Sequence, residues 1–93
     1  MHSIKTFSDG SFVEWVNRET IRYCEGDFSL IVVADFDSGF FSNTRVIKAS
    51  SINLWDKAPK GAEIVINENK KQEIIDKISQ YFKKYFKKIR VEE

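Results

Sequence analysis

The sequence predicts an α+β fold, an antiparallel β-meander of four to six strands packed against one long C-terminal helix. Two patterns carry that prediction. The first half of the chain is built of short runs that alternate in hydrophobicity and are separated by turn residues, and from about Glu68 to Phe86 the period becomes helical. At 93 residues the chain can bury one hydrophobic core and not two, so residues 1–93 are expected to form a single domain.

The strands follow in order. Ile4–Phe7 and Ser11–Val16 flank an Asp9-Gly10 turn signal, and in the second run Val13 and Trp15 share one side while Phe12, Glu14 and Val16 share the other. Thr20–Cys24 and Phe28–Phe36 flank Glu25-Gly26-Asp27, which predicts a second hairpin. Phe28, Leu30, Val32, Ala34 and Phe36 fall on one face and Ile31 and Val33 on the other, so this run is apolar on both sides, as a central strand is. Thr44–Ala49 reads as a further strand from its β-branched centre, Val46-Ile47. Residues 50–61 carry the lone proline, Pro59, and Gly61, and read as an ordered loop around Trp55. Glu63–Ile66 is a candidate short strand, and Ile89–Val91 a candidate return strand.

The helix is the strongest element. Ile74, Ile75, Ile78, Tyr81, Phe82 and Tyr85 form one apolar stripe, with Lys70, Lys77, Gln80 and Lys84 opposite. Asn67 or Asn69 can cap its start, and Lys83, Lys84, Lys87 and Lys88 suit the negative end of its dipole.

Composition narrows the function classes. Hydrophobic residues make up 42% and charged residues 31%, far from the regime of disorder. The longest apolar run, Leu30–Ala34, is much shorter than the roughly 20 residues of a membrane-spanning helix, and the first fifteen residues lack the pattern of a signal peptide. With a lone cysteine and no Asn-x-Ser/Thr site, a cytoplasmic protein without a membrane partner is expected. Cys24 reads as an inert, buried thiol.

The net charge of +1 hides an asymmetry. Residues 1–56 hold five basic and eight acidic side chains, a balance of −3, and residues 57–93 hold ten basic and six acidic, a balance of +4. Near-zero overall charge disfavours nucleic acid as a partner. The lysines near the helix end suit the dipole, and the interleaved Tyr81 and Tyr85 fall on the apolar stripe.

Signatures of catalysis are missing. The single histidine, His2, lies at the terminus, so no Ser/His or Cys/His pair can be assembled, and one cysteine with one histidine cannot furnish a structural zinc site. No two glycines stand close together, which removes a phosphate-cradling loop. No enzymatic activity, cofactor or small-molecule substrate is expected. Glu25, Asp27, Asp35 and Asp37 place four negative charges within thirteen residues without an intervening base. A hard-cation or acid/base site, a partner-facing acidic surface and plain solvation all fit them, with the last two favoured. Phe36, Phe40 and Phe41 surround Ser38-Gly39, where they either fold under the helix or anchor a partner. Trp55 is read first as a lid on the core and second as a contact residue.

The early strand Ser11-Phe12-Val13-Glu14-Trp15, the hairpin Tyr23-Cys24-Glu25-Gly26, the segment from Ser51 through Leu54-Trp55-Asp56-Lys57-Ala58-Pro59 to Gly61, and the Ile-spaced helix ending in Arg90-Val91-Glu92 span nearly the whole chain. In this order they resemble the Imm74-type immunity proteins of bacterial polymorphic toxin and contact-dependent growth inhibition systems. The resemblance implies a cytoplasmic, non-enzymatic α+β protein that binds and neutralises a cognate toxin. It designates no contact residues, because each immunity protein is matched to its own toxin. Many such toxins are nucleases with basic clefts. Charge complementarity then points to Glu25, Asp27, Asp35 and Asp37 as the toxin-facing carboxylates, with Phe40, Phe41 and Trp55 supplying apolar contact. The alternatives are a small nucleic-acid-binding domain using the lysine-rich helix end, and an adaptor subunit of another complex.

Overall fold

A computed structural model describes residues 4–17, 19–36, 44–84 and 88–92. The fold is α+β: a six-stranded sheet and one C-terminal helix. The strands are β1 (Ile4–Thr6), β2 (Phe12–Asn17), β3 (Thr20–Glu25), β4 (Phe28–Phe36), β5 (Thr44–Lys48) and β6 (Lys88–Glu92), ordered in the sheet as they are in sequence. The helix, α1, spans Glu68–Phe82, and a short 3-10 turn, Ala49–Ser51, follows β5. The pairs from β1 to β5 are antiparallel, and β5 with β6 is parallel. That change of direction follows from α1, since parallel neighbours need a long crossover and α1 lies within it.

Local chemistry sets the turns. Gly10, at a φ of 91°, closes the first hairpin, where Asp9 Oδ1 accepts from the Ser11 amide at 2.9 Å. Asn17 Oδ1 accepts from the amides of Glu19 and Thr20 at the β2–β3 turn, beside a break in register between Trp15 and Asn17. Glu25 pairs with Phe28, leaving the two-residue loop Gly26-Asp27. Asn67 caps α1, its side chain accepting from the Lys70 amide at 2.8 Å. The helix ends at Phe82, earlier than its periodicity suggests, because the chain must turn back to pair from Lys88 onward with β5. Tyr85 lies outside the described residues.

The nine-residue β4 joins two halves of the sheet. Residues 28–33 pair with β3, and Ala34–Phe36 pair with β5. Beyond the reach of β5, the outer edge of β4 is covered by the loop after it. The Ser29 amide donates to the Lys57 carbonyl at 3.0 Å, the Ile31 amide to Asp56 Oδ2 at 2.8 Å and the Val33 amide to Ser51 Oγ at 3.2 Å. Each of these strand amides is thereby satisfied without another strand.

Val13, Ile21, Tyr23, Leu30, Val32, Ala34 and Ile47 from the sheet meet Ile74, Ile75, Ile78, Tyr81 and Phe82 from α1 in one core, with Ile52, Trp55 and Ile66 closing it from the loop. Aromatic side chains gather in two groups. Trp55 stacks on Tyr23 at 6.1 Å between ring centroids and tilts against Phe28 at 5.1 Å. Trp15 meets Tyr81 and Phe82 edge-on, with the fully buried Arg45 guanidinium 5.2 Å from the Trp15 ring centroid and 5.4 Å from that of Phe82. Glu63–Ile66 is not a strand: only an isolated bridge between Leu54 and Val65 forms there. No helix among the described residues is long and apolar enough to cross a membrane.

Candidate functional site

Near the start of α1 the loop after β5 doubles back on itself. The Trp55 amide donates to the Ile64 carbonyl and the Ile66 amide to the Asn53 carbonyl, both at 2.9 Å, on either side of the Leu54–Val65 bridge. This pairing directs Trp55 and Ile66 into the core and leaves Leu54, Ile64 and Val65 exposed by 50%, 47% and 59%. They are three of the five large apolar side chains exposed among the described residues, and they sit on one hydrogen-bonded segment. Clustered exposed apolar surface of this kind marks an interaction site more readily than scattered single residues do.

Beside this patch lies a cleft of about 270 Å³, lined by Glu25, Phe28, Trp55, Glu63, Val65, Ile66, Asn67 and Lys70. Phe28 and Trp55 give it aromatic walls, and Asp27 is exposed at the adjoining loop tip. Lys70 Nζ donates to both oxygens of Glu25 at 3.0 Å, and Glu63 Oε1 accepts from the Val65 amide at 3.1 Å. The site therefore offers an apolar rim, aromatic walls and carboxylates held in place by their own hydrogen bonds.

A polar network runs from this cleft along the seam between α1 and the sheet. Tyr23 Oη donates to Glu25 Oε1 at 2.7 Å, and Lys70 also reaches Glu73 Oε2 at 3.1 Å. Lys77 Nζ lies 2.6 Å from Asp9 Oδ2, 2.8 Å from Ser11 Oγ, 3.1 Å from Glu73 Oε2 and 3.2 Å from Tyr23 Oη. An ammonium has three N–H groups, so four acceptors saturate it. Partial burial acts to lower the Lys77 pKa, but the hydrogen bonds it donates to Asp9, Tyr23 and Glu73 outweigh this and hold the group above the usual lysine range. Asp9 is held well below the carboxylate range, chiefly by Lys77 and then by Ser11, while burial and the bond to Glu25 push Tyr23 up to about 12. Although Ser11 and Lys77 are close enough for proton transfer, a lysine held in its charged form has no lone pair with which to accept the serine proton. The network clamps α1 to the first two hairpins.

The structure brings together only part of the predicted acidic surface. Glu25 and Asp27 flank the cleft, and Trp55 forms its wall but keeps just 8% of its surface exposed, so it acts mainly as a lid on the core. Asp35 sits near the other end of β4, its backbone paired with Val46, eight residues beyond Asp27, or about 26 Å of extended chain. Asp37, Phe40 and Phe41 lie outside the described residues. No three His, Cys, Asp or Glu side chains among the described residues come together as a metal site. Cys24 is half-buried, and that burial raises its thiol pKa.

Sequence reasoning missed Leu54, Ile64 and Val65. Trp55 drew attention to that loop, yet the outward alternation of its neighbours was the available signal: Leu54 and Val65 each stand next to a residue that goes into the core. A scan against protein-family models finds no match for this chain, and neither do comparisons with curated proteins and with solved structures.

Proposed function

We propose that this chain is an immunity-type protein that binds a cognate bacterial toxin, of the nuclease class, in the cytoplasm and neutralises it by covering its active or substrate-binding surface. The observation that carries the reading is the exposed triad Leu54, Ile64 and Val65 beside the Glu25-Gly26-Asp27 turn. Apolar anchors next to carboxylates suit a partner surface that is basic around an apolar centre, as a nucleic-acid-cutting cleft is. The resemblance of the strand, hairpin, loop and helix motifs to immunity proteins supports the same reading. On it, the toxin-facing surface keeps Glu25 and Asp27, takes its apolar contact from Leu54, Ile64 and Val65, and includes Asp35 only if the toxin spans the length of β4.

The test is co-expression with the toxic domain encoded next to this chain, scoring growth and co-purification. Rescue with a stable complex is expected. Failure of both by the wild-type chain would remove the immunity reading, whereas full rescue by a folded Leu54→Asp/Val65→Asp variant would remove this surface and leave the function standing.

A further inference from the structure

The last strand of the sheet is unusually well matched to itself. β6 pairs on its inner side with β5, and among the described residues no strand pairs with its outer side. Ile89 is half-buried and packs against the core, and Val91, in register with the buried Ile47, stays 42% exposed at the sheet margin. Lys88, Arg90 and Glu92 alternate with them and are exposed. The order is thus Lys-Ile-Arg-Val-Glu, cationic at one end and anionic at the other, with two apolar residues between.

We infer that β6 pairs antiparallel with β6 of a second copy of this chain, about a two-fold axis through Arg90, to give a continuous twelve-stranded sheet. An antiparallel pair formed through one edge must match outward-facing groups with outward-facing groups, so the axis passes through a residue and not between two. An axis at Arg90 sets Lys88 opposite Glu92 of the second copy twice over, and Ile89 opposite Val91 twice over. The exposed Val91 is then covered by an apolar neighbour on the core side of the sheet. On the other face Glu92, already bonded to Lys48, gains a second cation, and the facing pair of Arg90 side chains is flanked by Glu92, whose Oε2 is 3.6 Å from the guanidinium of its own chain. Opposite-charge and apolar cross-strand pairs stabilise a sheet, and like charges directly opposite weaken it. The Arg90 opposition is offset by the two Lys88–Glu92 pairs, whereas an axis at Ile89 would face Lys88 with Arg90 twice over with no opposite-charge pair to offset them, so it is disfavoured. β1, the other margin, has three residues with Lys5 as their one charged side chain, so no register can give it the opposite-charge pairs that flank Arg90 in β6. The pairing does not involve the Leu54–Val65 patch, and a toxin can be bound by each copy.

Sedimentation of the purified chain over a range of concentrations should show a monomer–dimer equilibrium. Val91→Asp should raise the dimer dissociation constant about tenfold or more without altering the circular dichroism spectrum, and Val91→Ile should preserve the dimer. In a Cys24→Ser background, Arg90→Cys should form an intermolecular disulfide on oxidation, because directly opposed residues fall within bonding distance. A monomer at every concentration, or a dimer that survives Val91→Asp and is not crosslinked through Arg90→Cys, would overturn the inference. Crosslinking through Val91→Cys in place of Arg90→Cys would overturn the stated register.

Discussion

Lys77 Nζ lies 2.6 Å from Asp9 Oδ2, joining the middle of α1 to the turn of the first hairpin across 68 residues of sequence. The same ammonium reaches Ser11 in that turn, Tyr23 in β3 and Glu73 on α1 itself, so one side chain ties the helix to the β1–β2 turn and to β3.

Replacing Lys77 by Met should cost about 1–2 kcal/mol, since Ser11 and Tyr23 keep their bonds to Asp9 and Glu25 while Asp9 and Glu73 lose a cation. The folded pKa of Lys77 is raised from 10.5, so its contribution is complete below that value and is lost as pH rises beyond it. Asp9 and Glu73 are lowered from 3.8 and 4.5, so theirs is complete above those values and is lost as pH falls toward the lowered folded values. Urea midpoints should form a plateau between about pH 5 and pH 10. In Lys77→Met the acid limb should be shallower, and an unchanged limb would contradict the clamp.

Trp55→Ala should destabilise the fold by about 3 kcal/mol, because it removes a buried ring packed on both Tyr23 and Phe28. A loss below about 1 kcal/mol in urea unfolding would mean that the loop lies less firmly on the core than these contacts require.

Asp56→Ala should leave the Ile31 amide without its acceptor and cost about 1 kcal/mol. Hydrogen exchange checks this directly. The Ile31 amide should exchange faster, while Val32, in register with Ile21 of β3, should stay protected.

Charge reversal separates the two ends of β4. If the toxin sits over the Leu54–Val65 patch, Asp27→Lys should weaken the complex by about 2 kcal/mol and Asp35→Lys should leave it unchanged. Isothermal titration of the two variants against the toxin domain decides, and the opposite ranking would move the interface to the far end of the strand.

Much of the fold was legible in the sequence. Alternation and Gly-containing turns mark β2, β3 and β4 to within a residue or so, and the isoleucine spacing marks α1, because these signals are local. What could not be read depends on partners far away in the chain. Nothing in the local sequence marks Arg45 as buried, yet it shares a strand face with Ile47 and lies fully buried against Trp15 and Phe82. The acidic residues from 25 to 37 looked like one cluster because they are close in number, but an extended strand between them carries Asp35 away from Asp27. Trp55 was read correctly first as a lid; its exposed neighbours were overlooked because the bridge between Leu54 and Val65 spans eleven residues of irregular chain.

The parallel union of β5 and β6 has a kinetic corollary. The hairpins from β1 to β4 close over short loops, whereas Thr44 finds Lys88 only after forty-four residues have been gathered in and α1 has docked. Because this is the longest closure in the sheet, β6 should join it after the folding barrier. Weakening β6 should therefore hasten unfolding and leave the refolding rate almost unchanged, so that the lifetime of the folded chain is governed by its last strand while its speed of formation is governed by its first four.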